Sequence, residues 1–242
     1  SFFMEKEVAS KLLQHSDQIS NQDELGIYHR AMGGAMLIDE ISSYPKSVLD
    51  TLQMHLDDSN VQVLMAMNPC HCGYFNHPEI RCDCSAANLN RYQGILSGAL
   101  LDRIDLMPAY TSSEHADVND KSSNIKGRVQ KAWQRQIQRQ GRQNSRLTLD
   151  ELKAWILKDL ALRRLFLKEL KVHKWSLRKQ RSILSVAATI ADLSQIKPSK
   201  EHLYESIALS QPDCNLVLTR EKRVRSPAPT VILASNLKIK GT

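Results

Sequence analysis

Two carboxylates at the end of one apolar run, an asparagine at the end of another and four clustered cysteines are the residues of this 242-residue sequence equipped for chemistry. In "GGAMLIDE", Asp39 and Glu40 follow a short apolar run, Ala35–Ile38. A buried strand ending this way is what a Walker-B element looks like. Its Asp orders a magnesium ion through water, and its Glu polarises the water that attacks a γ-phosphate. The plainer alternative is a strand end whose carboxylates face solvent. In "VQVLMAMN", Asn68 ends a second buried-strand pattern and can orient the same water, although Asn-Pro also starts turns. Cys70, Cys72, Cys82 and Cys84 come directly behind Asn68 as two Cys-x-Cys pairs, nine residues apart. They supply the thiolates of a closed tetrahedral zinc site, though with tighter pairs than the usual Cys-x₂-Cys. Disulfides are the alternative, less expected in a reducing compartment. His71 and His77 lie inside the loop and either can replace a thiolate, while Cys214 stands apart as a plain thiol. A closed four-thiolate zinc leaves no position for water, so an architectural role is expected.

These groups act together only if the chain brings the two strand tips side by side. Between the tips, "KSVLDTLQMHLDD" spaces Val48, Leu49, Leu52 and Leu56 helically, and Pro45 sits where a first turn tolerates it. Strand, helix, strand predicts a parallel α/β unit over residues 35–112, preceded by an unassigned segment, 1–34, with a short amphipathic helix in "MEKEVASKLLQH". After the cysteine loop, a helical stretch is expected to close on an apolar strand from Ile104 to Met107. The polar run at 113–124 reads as a linker. Residues 125–211 then read as a helical bundle, with Thr148 and Glu151 as a capping box and Ser176 as a cap. In the tail, 212–242, only "TVILASNLKI" suggests a strand, at a sheet edge.

Composition agrees with an α-rich chain: 42% of residues are hydrophobic but only 5% aromatic. The net charge of +7 is concentrated between Lys121 and Arg181, where 18 Lys plus Arg face 4 Asp plus Glu. A polyanion is the partner that such a balance suggests, against a merely solvated basic surface. On the helix from Ile125 to about Arg142, the residues Lys131, Arg135, Arg139 and Arg142 lie near one face and are candidates for DNA phosphate contacts. Val129, Trp133 and Ile137 form its expected apolar face. No run approaches the roughly 18 apolar residues that cross a bilayer, and "SFFMEKEVAS" lacks the pattern of a secretory signal, so a cytoplasmic protein is expected.

The strings "GGAMLIDEISSYPKSVLDTLQMHLDD", "MAMNPCHCGYF" with its later "CDC", "RYQGILSGALLDRIDL" and "SLRKQRSILSVAATIADL" follow one another in a telling order. In that order the chain resembles the magnesium-chelatase-like AAA+ ATPases of bacteria, and within them the competence-related branch, over residues 23–210. The resemblance implies the C-terminal part of a AAA+ parallel-sheet nucleotide-binding domain followed by an all-α lid. It also implies a hexameric ring that uses ATP or ADP with magnesium and acts on DNA, with branch migration during natural transformation as its work. Asp39 and Glu40 match the Walker-B carboxylates, Asn68 matches sensor 1, Arg103 the arginine finger and Arg178 the sensor-2 arginine, with Asp39 and Arg178 at the nucleotide. An arginine finger supplied in trans is worth about 10³ to 10⁵ in rate. Read without the resemblance, Arg103 is a surface partner of Asp102 or Asp105, and Arg178 is a basic residue in a helix's first turn.

Two departures matter. A phosphate loop needs Gly-x-x-x-x-Gly-Lys-Ser/Thr, yet none of the nine glycines is followed by Lys. About two residues separate "HLDD" from the second strand, where the family carries a pore-directed hairpin. Hence two expectations stand: part of a AAA+ motor that does not hydrolyse ATP alone, or a non-catalytic, zinc-containing DNA-binding or assembly module.

Overall fold

The protein is described here from a computed structural model, which places residues 26–57, 61–75, 77, 80–110, 122–210 and 230–235. The expected helix near the start, most of the linker, Cys214 and the rest of the tail lie outside them. The chain divides into two compact units, one holding residues 26–110 with 230–235 and the other holding 122–210.

The first unit begins with a helical turn, α1 (Ile27–Arg30). Gly33, at φ 75°, then takes a left-handed conformation that turns the chain into β1 (Ala35–Ile38). Helix α2 (Lys46–His55) crosses over to β2 (Gln62–Met67), and the two strands pair in parallel with Ile38 opposite Met65. Parallel strands need such a crossover. The strands are not buried on both faces as expected. Met36, Ile38, Val63 and Met65 are fully buried, while Leu37, Leu64 and Ala66 are half-exposed. Val48, Leu49 and Leu52 of α2 join the buried face in one core with Tyr28, Leu100 and Ile104.

The segment after the cysteine loop forms α3 (Ala86–Gln93) and a turn of helix, α4 (Gly98–Leu101). The strand expected over Ile104–Met107 is displaced: β3 is Ala109–Tyr110. Ile104 and Met107 pack into the core instead, Leu106 makes only an isolated bridge, and the continuous strand follows Pro108, which cannot donate to a ladder. The tail strand β4 (Thr230–Ser235) is not at an edge. The sheet order is β1-β2-β4-β3, and β4 runs antiparallel to both its neighbours.

The second unit comprises α5 (Ser122–Gln140), α6 (Leu149–Ile156), α7 (Leu160–His173), α8 (Leu177–Leu193) and α9 (Lys200–Ser210). Side chains start the helices as their types dictate. The Thr148 and Glu151 capping box is formed, Asp159 accepts from the Ala161 and Leu162 amides, and Ser176 accepts from the Lys179 amide. Leu152, Phe166, Ile183, Leu184 and Leu203 are the centre of its core. On α5 the deepest positions are Ala132 and Gln136, with Val129, Trp133 and Ile137 only half-buried beside them.

A polar knot joins α5 to α8. Asp192, 1% exposed, receives two bonds from the Arg139 guanidinium at 2.7 and 2.9 Å and one from Asn144 at 3.0 Å. Arg139 also reaches Asn144 Oδ1 and lies 3.8 Å above the Trp155 ring. Arg135 Nε lies farther off, 3.6 Å from Asp192 Oδ1, so without Arg139 the buried carboxylate would keep only Asn144 and this longer ion pair. Arg139→Ala should therefore lower stability by about 1.5–3 kcal/mol, read from urea unfolding of the chain. A loss below about 1 kcal/mol would reduce the knot to an ordinary surface pair.

Candidate functional site

The parallel pairing of β1 and β2 brings Asp39, Glu40 and Asn68 to the same edge of the sheet, each just past the C-terminal end of its strand. In α/β sheets this edge is where ligands bind. All three side chains are exposed there. Asp39 Oδ1 accepts the Glu40 amide at 3.0 Å, and Glu40 adopts a left-handed conformation, φ 45°, that turns the chain into the short 3₁₀ helix Ile41–Ser43. A non-glycine residue there costs about 1–3 kcal/mol, a strain typical of sites that aim a side chain. Burial, followed by the charges of Asp39 and Glu40, raises the pKa of the Tyr44 hydroxyl behind them.

Tyr92, which the sequence reading passed over, stands beneath this edge. It is 4% exposed, its hydroxyl is 2.8 Å from that of Ser42, and it accepts a hydrogen bond from the Asn68 amide. Its only sequence signal was an aromatic residue on the stretch shared with the resemblance.

Asn68 opens into the cysteine loop. The sulfurs of Cys70, Cys72 and Cys82 lie 3.3 to 3.7 Å apart, and all four thiols fall within 4.8 Å of one another without a disulfide. Four sulfurs held at 2.3 Å from one tetrahedral zinc would stand about 3.8 Å apart, so this donor set fits that ion. The thiols are unequal. Backbone N–H groups, the Tyr74 amide first, bring Cys72 down to about 6, whereas burial pushes Cys82 up to about 12 and raises Cys70 too. A dication would hold all four as thiolates. The histidines have other contacts: the His71 ring packs on Tyr92 at 4.7 Å, and His77 Nδ1 accepts the Ile80 amide.

Arg103 pairs with neither Asp102 nor Asp105 in a salt bridge. Its Nη2 and Nε reach Asp57 at 3.0 and 3.3 Å, and its Nη1 donates to the Ala99 carbonyl at 2.8 Å. Asp57 lies just beyond α2, 46 positions away in sequence, which is why local reading missed it. Arg178 is exposed in the first turn of α8, in the helical unit.

Three residues of the basic stripe on α5 and just beyond it bond within the helical unit. Arg139 belongs to the Asp192 knot, Arg135 donates to the Gln195 and Ile196 carbonyls, and Arg142 pairs with Glu151. Lys131 remains exposed. The acceptors come from α6, α8 and the chain after α8. Arg135 and Arg139 are half-buried, while Arg142 is exposed beside Glu151. On α7, by contrast, Arg163, Arg164, Lys168 and Lys171 are all exposed.

Comparison with known proteins covers both units. The family model of magnesium chelatase subunit ChlI matches residues 20–118, and the model of the ChlI C-terminal region matches residues 119–210. Uncharacterized protein YifB of Salmonella typhimurium is 31% identical over 201 residues, 74% of this chain and 39% of the relative. YifB of Escherichia coli is 28% identical over 213 residues, 78% of this chain and 41% of the relative. Competence protein ComM of Haemophilus influenzae is 28% identical over 203 residues, 73% of this chain and 39% of the relative. The chain thus spans about two fifths of the length of these relatives. Among the described residues no helix is long and apolar enough to cross a membrane.

The thiol cluster makes a direct prediction. Chain purified without chelator should carry about one zinc by elemental analysis, and Cys82→Ser should lose it. Because protons compete for thiolates, retention should weaken as the pH is lowered. A chain that contains no zinc and is no less heat-stable after treatment with chelator would exclude the site.

Proposed function

The chain belongs to the magnesium chelatase ChlI family, with a AAA+-type α/β unit and an all-helical unit, and from that premise we propose that it supplies the hydrolytic edge of a ring-forming ATPase. The observation that carries this reading is the placement of Asp39, Glu40 and Asn68 at adjacent parallel strand tips. In the proposed chemistry Asp39 holds magnesium through water, Glu40 polarises the attacking water, and Asn68 fixes its direction. Arg103 acts on the nucleotide of a neighbouring subunit, and Arg178 contacts nucleotide from the helical unit. In the isolated chain Asp57 and Ala99 hold the Arg103 guanidinium in cis, so the finger is oriented before a neighbour arrives. Zinc in the four-cysteine loop is structural.

DNA is the proposed substrate of the assembled protein. A relative named as a competence protein and the basic balance of the helical unit both support it. With most of the α5 stripe committed internally, Lys131 and the exposed bases of α7 are the better candidates for phosphate contact. A hexamer and branch migration belong to the same proposal and rest on the resemblance alone.

The sequence has no Gly-Lys pair to cradle phosphates, so this chain is expected not to bind ATP or ADP tightly by itself. Isothermal titration tests this, and micromolar binding would overturn it. In an oligomer that includes a phosphate loop, Arg103→Ala should reduce ATP turnover by about 10³-fold or more with nucleotide affinity nearly unchanged. Lost affinity with normal turnover per bound nucleotide would assign Arg103 to binding instead. An oligomer with a phosphate loop and no turnover even before mutation would favour the non-catalytic module.

A further inference from the structure

The cysteine loop leaves β2 at Asn68 and returns at Cys84, and the next residue, Ser85, caps α3 by accepting the Asn88 amide at 3.3 Å. The last turn of α3 then carries Tyr92 back to the strand tips. The ring meets His71, between the first two cysteines, at 4.7 Å and 66°. The hydroxyl meets Ser42, two residues beyond Glu40, and the amide of Asn68. A tyrosine this deeply buried must have its hydroxyl satisfied. Here both partners belong to the catalytic edge, and the apolar side of the same ring lies against the loop.

We propose that Tyr92 is a positioning residue that transmits the state of the four-cysteine loop to the segments carrying Glu40 and Asn68. This rests on the reading of those tips as the hydrolytic edge and of the loop as a metal site. The route is short. A bound ion would hold Cys70 and Cys72, and with them His71 between them. Cys84 fixes the start of α3, and the Tyr92 hydroxyl ties the two strand tips together. No proton or electron transfer is involved, because the hydroxyl acts as a hydrogen-bonded spacer.

Hydrogen–deuterium exchange on the chain, zinc-loaded and chelator-treated, tests this without nucleotide. In wild type, chelation should speed exchange both in residues 70–84 and at the tip amides of Ser43, Tyr44 and Asn68. Tyr92→Phe keeps the ring but removes the hydroxyl. With zinc present, it should speed the tip amides about tenfold, the loss of roughly one buried hydrogen bond. Chelation should then add nothing at the tips while still loosening the loop. Ser42→Ala should reproduce the effect at Ser43 and Tyr44 and leave Asn68 protected. Unchanged strand amides at Leu37 and Leu64 would show that both variants remain folded.

Tip amides that stay protected in Tyr92→Phe, or that still respond to chelator, would overturn the proposal. If chelation loosens the wild-type loop but not the tips, the coupling fails while the metal site stands. If it loosens neither, the metal site fails and takes the coupling with it. ATP turnover plays no part in either result.

Discussion

Everything at the sheet edge depends on one register, Ile38 opposite Met65 in a parallel pair. Side chains alternate along a strand, so a slip of one residue would turn Met36 and Ile38 out of the core if β1 moved, or Val63 and Met65 if β2 did. It would also carry Asp39 and Asn68 out of step. Burial of those four residues against α2 therefore fixes the position of the polar tips, although none of the four is itself at the site. The carboxylates remain exposed because the apolar run stops at Ile38, and the left-handed Glu40 ends the strand there.

The cysteine loop is a second constraint on the same edge. A stretch with this many turns and few apolar side chains offers little hydrophobic surface to hold it in place. Cys70 is buried, but the other three cysteines are only partly so. A tetrahedral ion would replace packing with four bonds, as is common where a loop is too small to have a core. The loop joins the end of β2 to the start of α3, so fixing it also fixes the direction in which α3 returns.

What could be read from sequence was what is encoded locally. The strand tips, α2, the capping box at Thr148 and the cap at Ser176 depend on residues a few positions apart, and the structure has them. The two Cys-x-Cys pairs were legible too, since spacing alone brings thiols near each other. Long-range partners were not. Asp57 for Arg103, Asp192 for Arg139 and Ser42 for Tyr92 are each separated by more than 40 positions. An arginine on an amphipathic helix looks solvent-bound until the acidic residue of another helix is known. For β3, composition misled: Ile104 and Met107 are apolar because they are core residues, not because they pair in a strand.

The interior place of β4 bears on the order in which the protein is made. β2 and β3 run in the same direction with β4 between them, and β4 is encoded after the whole helical unit. Synthesis proceeds at about 5–20 residues per second, so the roughly 120 residues between β3 and β4 take roughly 6–24 s to emerge. For that interval β2 presents an unpaired row of amides and carbonyls on the side β4 will fill, and β3 has no ladder at all. Such an edge recruits any extended segment nearby. A strand made after the helical unit is thus the one that joins β2 to β3, and until it arrives the newborn chain is open to the wrong partner.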